Sequence, residues 1–180
     1  MKTYIVLLKG INVGGHKKVP MAELRELLSK SGFEDVQTYI QSGNVVLQSS
    51  EKKIQKIEET IKNAILDYFG FEVSVLAITR PDLKRIFDDC PFSEEKKKTS
   101  YFMMLHDTPS NELIKVASEK VYEGEEYKII MDCIYFYCAS GYGNAKFNAN
   151  FFERILKTFA TSRNYNTMVK LLSLSSEQAT

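Results

Sequence analysis

The sequence predicts an α+β protein built from two ferredoxin-like (split βαβ) lobes with antiparallel sheets and C-terminal helical additions. Three observations predict it. Hydrophobic periodicity over residues 1–79 alternates between strand and helix spacing in the order β-α-β-β-α-β. Residues 80–180 repeat the theme as β-α-β-β-α, followed by an extra helix. At 180 residues and 44% hydrophobic content, the chain suits one compact domain or two small lobes. The expected division is therefore 1–79 and 80–180.

The first strand is the nearly continuous apolar run 4–11, which suits a central, covered strand. A helix is expected to begin near Pro20, a good first-turn residue, with Met21, Leu24, Leu27 and Leu28 on one face and Gly32 ending it. Val36, Thr38 and Ile40 alternate with Gln37 and Tyr39 as a second strand. Ser42 and Gly43 supply a tight turn, and Val45 and Leu47 return as a third strand. Ile54, Ile57, Ile61, Ile65 and Tyr68 recur at spacings of three and four, so they share one helical face closed by Gly70. Residues 71–78 form the fourth strand.

In the second half, Thr79-x-x-Asp82 resembles a capping box opening a helix through Leu83, Ile86 and Phe87. Residues 91–100, with Lys96, Lys97 and Lys98, read as a solvated loop. A strand follows at 101–105, and Thr108-Pro109 opens a helix carrying Leu113, Val116 and Ala117. Residues 126–131 and 134–139 form a hairpin turning at Asp132. Phe152, Ile155, Leu156 and Phe159 mark another helix, and Met168, Leu171 and Leu172 a short last one. The polar tail after Leu174 is expected to fray.

Charge and cysteine content narrow the function classes. Lys+Arg 24 against Asp+Glu 23 leaves a net charge of +1, which argues against a dedicated nucleic-acid binder. The third strand reads Asn44-Val45-Val46-Leu47-Gln48, without the aromatic side chains on which RNA-recognition sheets stack bases. No apolar run reaches membrane-spanning length, and the N-terminal run is broken by Lys9 and Gly10. Cys90, Cys133 and Cys138 are odd in number and lack Cys-x-x-Cys spacing, so no disulfide framework or metal site is expected. A cytoplasmic setting is the simplest one. His16 and His106 have no partner at metal spacing. No Ser-His-Asp set or paired-carboxylate motif stands out, and no cofactor is expected.

Three polar clusters carry the functional expectation. Residues 10–20 read Gly-Ile-Asn-Val-Gly-Gly-His-Lys-Lys-Val-Pro between a strand and a helix N-terminus, where backbone N–H groups and positive charge can meet an anion. Gly14, Gly15 and Lys18 form the expected cradle, beside Asn12. The loop is no Walker loop, since His16 stands at the lysine position and no Ser or Thr follows. Its glycines also suit a tight turn at positive φ. Acylphosphatases resemble this topology and bind phosphate in the corresponding loop through an arginine; here Lys17 and Lys18 stand instead, and lysine is a point charge rather than a fork.

The second cluster is 41–44, where Gln41 and Asn44 exceed what a Ser-Gly turn needs. The third is 161–167. Asn164, Asn166 or Thr167 can cap the last helix, or Arg163 can hold a carboxylate or phosphate with help from that helix. Residues 141–146 form a further flexible, polar connection.

These clusters together resemble the bacterial domain-of-unknown-function family 1697. That family shows Gly-Ile-Asn-Val-Gly-Gly with a following Lys-x-Pro-Met, Tyr-Ile-Gln-Ser-Gly-Asn, and a late Thr-x-Arg-Asn-x-Asn-Thr, matching residues 10–15, 18–21, 39–44 and 161–167. Between 141 and 150, where the family more often carries arginine and serine, Lys146 and Phe147 stand. No activity comes with the resemblance. The leading expectation is a protein binding a small anionic or phosphate-bearing ligand through Asn12, Gly14, Gly15, Lys18, Gln41, Asn44, Arg163, Asn164 and Asn166, with catalysis left open. It requires three distant segments to share one cleft. The competing class is a non-catalytic interaction module that pairs through a sheet edge or through aromatics such as Tyr137 and Tyr142.

Overall fold

A computed structural model describes residues 1–177. The chain forms two compact units: Met1–Arg85 together with the chain from Val169 onward, and Ile86–Met168. The expected division after Thr79 differs from this grouping, because the boundaries fall inside two helices rather than in linkers.

The first unit runs β1 (Lys2–Lys9), α1 (Met21–Lys30), β2 (Glu34–Tyr39), β3 (Asn44–Ser49), α2 (Ile54–Phe69) and β4 (Ser74–Thr79). Its sheet has the order β2-β3-β1-β4, with every pairing antiparallel. Five successive β1 residues, Tyr4 to Leu8, are buried, as expected of a covered central strand. Tyr4, Val6 and Leu8 pack with Leu24 and Leu28 of α1 and with Ile57, Ile61 and Ile65 of α2. Gly32, at φ +94, ends α1: its N–H reaches Ser29 O and the Phe33 N–H reaches Leu28 O, the paired bonds of a Schellman motif. Gly70 closes α2 in the left-handed region. Two side chains depart from the expected faces. Ile40 lies beyond β2 at φ +49 and is exposed. Tyr68 lies outside the core, with its hydroxyl on Glu23 at 3.2 Å.

α3 (Arg80–Asp88) opens on the expected capping box, in which the Thr79 hydroxyl and N–H both meet the Asp82 carboxylate. A short α4 (Glu94–Lys97) follows. The second unit then runs β5 (Tyr101–Leu105), α5 (Asn111–Ala117), β6 (Glu125–Ile130), β7 (Cys133–Cys138), α6 (Ala149–Leu156) and β8 (Ala160–Asn164), leading into α7 (Tyr165–Glu177). Sheet order is β6-β7-β5-β8, again antiparallel throughout. Its core is aromatic: Phe147 packs against Tyr122, Tyr127, Phe136, Phe151 and Phe152.

β8 corrects the expected β-α-β-β-α order of the second lobe, which is a complete β-α-β-β-α-β. The segment Ala-Thr-Ser-Arg-Asn lacks apolar alternation because it is an edge strand that pairs only with β5. Phe159 accordingly lies outside α6, which stops at Lys157 in the left-handed region. The lysine run is likewise not wholly solvated: Lys97 is buried, with its ammonium 3.9 Å from the centre of the Phe87 ring. Past Leu174, where fraying was expected, α7 continues to Glu177; residues 178–180 lie outside the described residues. No helix among the described residues is long and apolar enough to cross a membrane.

Candidate functional site

The chain leaving β1 makes a miniature hairpin. The His16 N–H donates to Val13 O at 3.0 Å and the Asn12 N–H to Lys17 O at 3.0 Å. Gly14 (φ +58) and Gly15 (φ +77) occupy its two-residue tip, where a type I′ turn requires positive φ at both positions. Nothing lies within 4 Å of a Cβ added at Gly15, and only His16 at 3.8 Å from one at Gly14, so backbone conformation alone accounts for both glycines.

Asn12 (φ +54) holds the base of this hairpin. Its amide Nδ2 donates to Val19 O at 3.0 Å and Gln41 O at 2.7 Å, while Oδ1 accepts from the Val19 N–H at 2.8 Å. The 10–20 loop is thereby joined to the 41–44 turn. Antiparallel pairing is what brings them to one end of the sheet, because the Leu7↔Asn44 register sets the end of β1 against the start of β3. Gly43 completes the junction: its carbonyl accepts from the Leu8 N–H at 2.8 Å, and a Cβ there would meet Leu8 Cβ at 2.7 Å. Asn44 is fully buried and pins the turn from inside, with Nδ2 on Tyr39 O and Ser42 Oγ. The Gln41 side chain is exposed. Lys17 reaches back to Glu72 O at 2.8 Å, whereas Lys18 extends into solvent.

Residues 161–167 belong to the second unit up to Met168 and are described there. Arg163 is buried on β8, where Nη1 donates to Thr161 Oγ1 and Ser162 O, each at 2.8 Å. Burial pushes its guanidinium down to about 10, which leaves it charged at neutral pH. Asn164 caps α7 by accepting the Thr167 N–H on Oδ1 at 2.9 Å. Asn166 stands exposed in the first turn.

Asn164 and Asn166 line a polar cavity of about 170 Å³ with Lys98, Thr99, Ser100, Tyr101 and Tyr165. The Tyr101↔Asn164 register of β5 and β8 brings the end of the lysine run against the start of α7. No carboxylate is among the lining residues. The 13-residue α7 points its positive end there. Ser100 is held in place by its hydroxyl on Lys96 O at 2.7 Å. This volume accommodates a phosphate- or sulfate-sized group but is below the range of whole-cofactor pockets. Lys98 escaped the sequence reading because it sits in a run that looks uniformly solvated. The signal lay in its position immediately before the strand that pairs with the 160–164 segment.

Among the described residues, no group of three or more His, Cys, Asp or Glu is placed to hold a metal ion. His106 stacks on Phe159 and meets the Asp107 carboxylate at 3.0 Å. The cysteines are free thiols, and burial raises the pKa of Cys90. Tyr137 and Tyr142 are half-buried: Tyr142 stacks on Tyr101 with centroids 3.9 Å apart, and Tyr137 lies beneath the Lys96 ammonium at 5.0 Å.

The family model described as "Protein of unknown function (DUF1697)" matches residues 1–135. The chain belongs to this family. The matched region includes the 10–20 loop, the 41–44 turn and Lys98, and ends before β8. No curated protein matches the chain. Among solved structures, the conserved bacterial protein SP0830 from Streptococcus pneumoniae is similar, at 24% identity and a TM-score of 0.73, over 96% of this chain and 98% of that one. At that identity the likeness shows the fold, the mixed α+β arrangement of two four-stranded antiparallel sheets.

Proposed function

We propose that this DUF1697 protein binds a small anionic group, such as a phosphate or the phosphate end of a metabolite, at the start of α7. One observation carries the reading: the cavity is lined by Lys98, Asn164 and Asn166 without a carboxylate, at the positive end of a 13-residue helix. Lys98 supplies charge, Asn166 an amide donor, and the first-turn N–H groups the remaining donors. Asn164 contributes its Nδ2, since its oxygen is engaged in the cap.

A second position is favoured by a separate observation. The hairpin at 12–17 holds two non-glycine residues, Asn12 and Lys17, at positive φ. Asparagine tolerates this region, whereas it costs a lysine on the order of 1–2 kcal/mol and persists where the surroundings over-determine it, as functional loops do. Gly14, Gly15 and Lys18 would present backbone and charge there, with Gln41 beside them.

A thermal-shift panel of inorganic phosphate, nucleotides and sugar phosphates tests both. A ligand at about 100 times its dissociation constant adds roughly 2.7 kcal/mol of stability. For a chain of this size that raises the melting temperature by about 5–11 °C. The shift is expected to disappear in Lys98→Ala and Asn166→Ala and to survive Lys18→Ala. Loss only in Lys18→Ala assigns the anion to the hairpin. A flat panel removes both assignments.

A further inference from the structure

Independently of the anion reading, we propose that β6 is a docking edge for an acidic extended peptide, which adds to the second sheet as a fifth strand. In the sheet order β6-β7-β5-β8, β6 pairs on one side only. The Ala139 N–H donates to Gly124 O, so in the antiparallel alternation residues 126, 128 and 130 direct their backbone groups to β7. Tyr127 and Ile129 therefore turn an N–H and a C=O each toward the open edge, the template for strand addition.

Along that edge runs a cleft of about 720 Å³, flanked by segments 91–96 and 118–121. Native edges of this kind are usually blunted by a covering loop, a bulge or a proline. The β6–β7 register from 125 to 130 is unbroken, and β6 contains no proline. The Tyr127 hydroxyl lies 2.7 Å from both Ala117 O and Lys120 O and donates its one proton between them, which fixes one wall of the cleft to the strand.

Charge selects the occupant. The Glu125 carboxylate is occupied by the N–H groups of Lys146 and Phe147, and Glu126 is paired with Lys96. Lys128 is exposed, and Lys120 rests against the Tyr122 and Phe151 rings. Lys96, Lys120 and Lys128 outnumber Glu125 and Glu126 among the lining residues, so the net charge of the cleft is positive. Val121, 78% exposed, and Phe92 add apolar surface in the same cleft. An extended segment alternating acidic and apolar side chains sets its carboxylates on the Lys128 face of the sheet and its apolar side chains on the opposite face, beside Tyr127.

The test uses the full-length protein and three fluorescein-labelled, capped peptides: an alternating Glu-Val octamer, its Lys-Val counterpart, and the Glu-Val octamer N-methylated at alternate residues. Fluorescence anisotropy should show saturable binding of the first alone. Lys120→Glu/Lys128→Glu, two exposed changes that leave the fold intact by circular dichroism, should weaken it about tenfold or more. Amide exchange at Tyr127 and Ile129 should slow in the complex. Equal binding of the Lys-Val peptide overturns the charge argument, and equal binding of the N-methylated peptide overturns strand addition. No binding of the Glu-Val peptide up to about 1 mM, or self-association of the free protein that protects the same two amides, overturns the proposal.

Discussion

Gly43→Ala is the sharpest test of how the 10–20 loop and the 41–44 turn are joined. Gly43 sits at φ +81, and the added Cβ would lie 2.7 Å from Leu8 Cβ, 3.1 Å from Ile11 Cδ1 and 3.1 Å from Leu8 O. Two of those atoms are fixed by the β1 backbone, so the turn must move instead. Left-handed strain in a residue with a Cβ costs about 1–2 kcal/mol. Forcing a methyl into packed surroundings adds about 1–3 kcal/mol. The sum, about 2–5 kcal/mol, lowers the urea midpoint by about 1–2.5 M at an m-value of about 2 kcal/mol per M. Gly14→Ala is the control: it carries the same strain at φ +58, but its nearest neighbour is His16 at 3.8 Å, so it should cost only about 1–2 kcal/mol. Amide exchange at Leu8, whose N–H donates to Gly43 O, should quicken in Gly43→Ala alone. Equal destabilisation by the two variants, with Leu8 still protected, would refute the close-approach reasoning.

Three further outcomes are expected. Asn12→Ala removes three side-chain hydrogen bonds at a positive-φ position and should cost about 2–4 kcal/mol in urea unfolding, with Asn12→Gly recovering only the conformational part. Asn164→Ala loses the α7 cap and should cost about 1 kcal/mol; Asn164→Asp should keep stability to within about 0.5 kcal/mol while abolishing any phosphate-induced thermal shift, because it sets a carboxylate in the cavity. His106 holds the Asp107 carboxyl below its ordinary value, so the pair's contribution is present above the unfolded pKa near about 3.9 and is lost as pH falls through the lower folded one. With Asp107 72% exposed, that contribution is below about 1 kcal/mol. Asp107→Asn should therefore be mildly destabilising near neutral pH and indistinguishable from the parent in strong acid.

The first lobe was legible because each signal was local. The apolar run of β1, the isoleucine stripe of α2, and Gly32 and Gly70 at helix ends all act within a few residues. β8 was not legible, since its five residues owe their conformation to hydrogen bonds with β5 nearly sixty positions earlier. Lys98 was hidden for the same reason: its neighbours in the cavity come from β8 and α7. Of the site residues, Asn12 is expected from the sequence to meet a ligand, whereas its side chain bonds Val19 and Gln41. Asn44 and Arg163 show how composition misleads about exposure. Both are polar residues in motif-like runs, and both are buried. A polar residue that pins a turn and one that meets a ligand leave the same mark in a sequence.

The central claim is that the cavity at the start of α7 takes a small anion. A ¹H–¹⁵N NMR titration with inorganic phosphate tests it most directly, because it reports the place of binding as well as its occurrence. The account predicts saturable shifts at the amides of Thr99, Ser100, Asn166 and Thr167, suppressed in Lys98→Ala. Shifts confined to Gly14, Gly15 and Lys18, or no saturable shift at any amide, would contradict it.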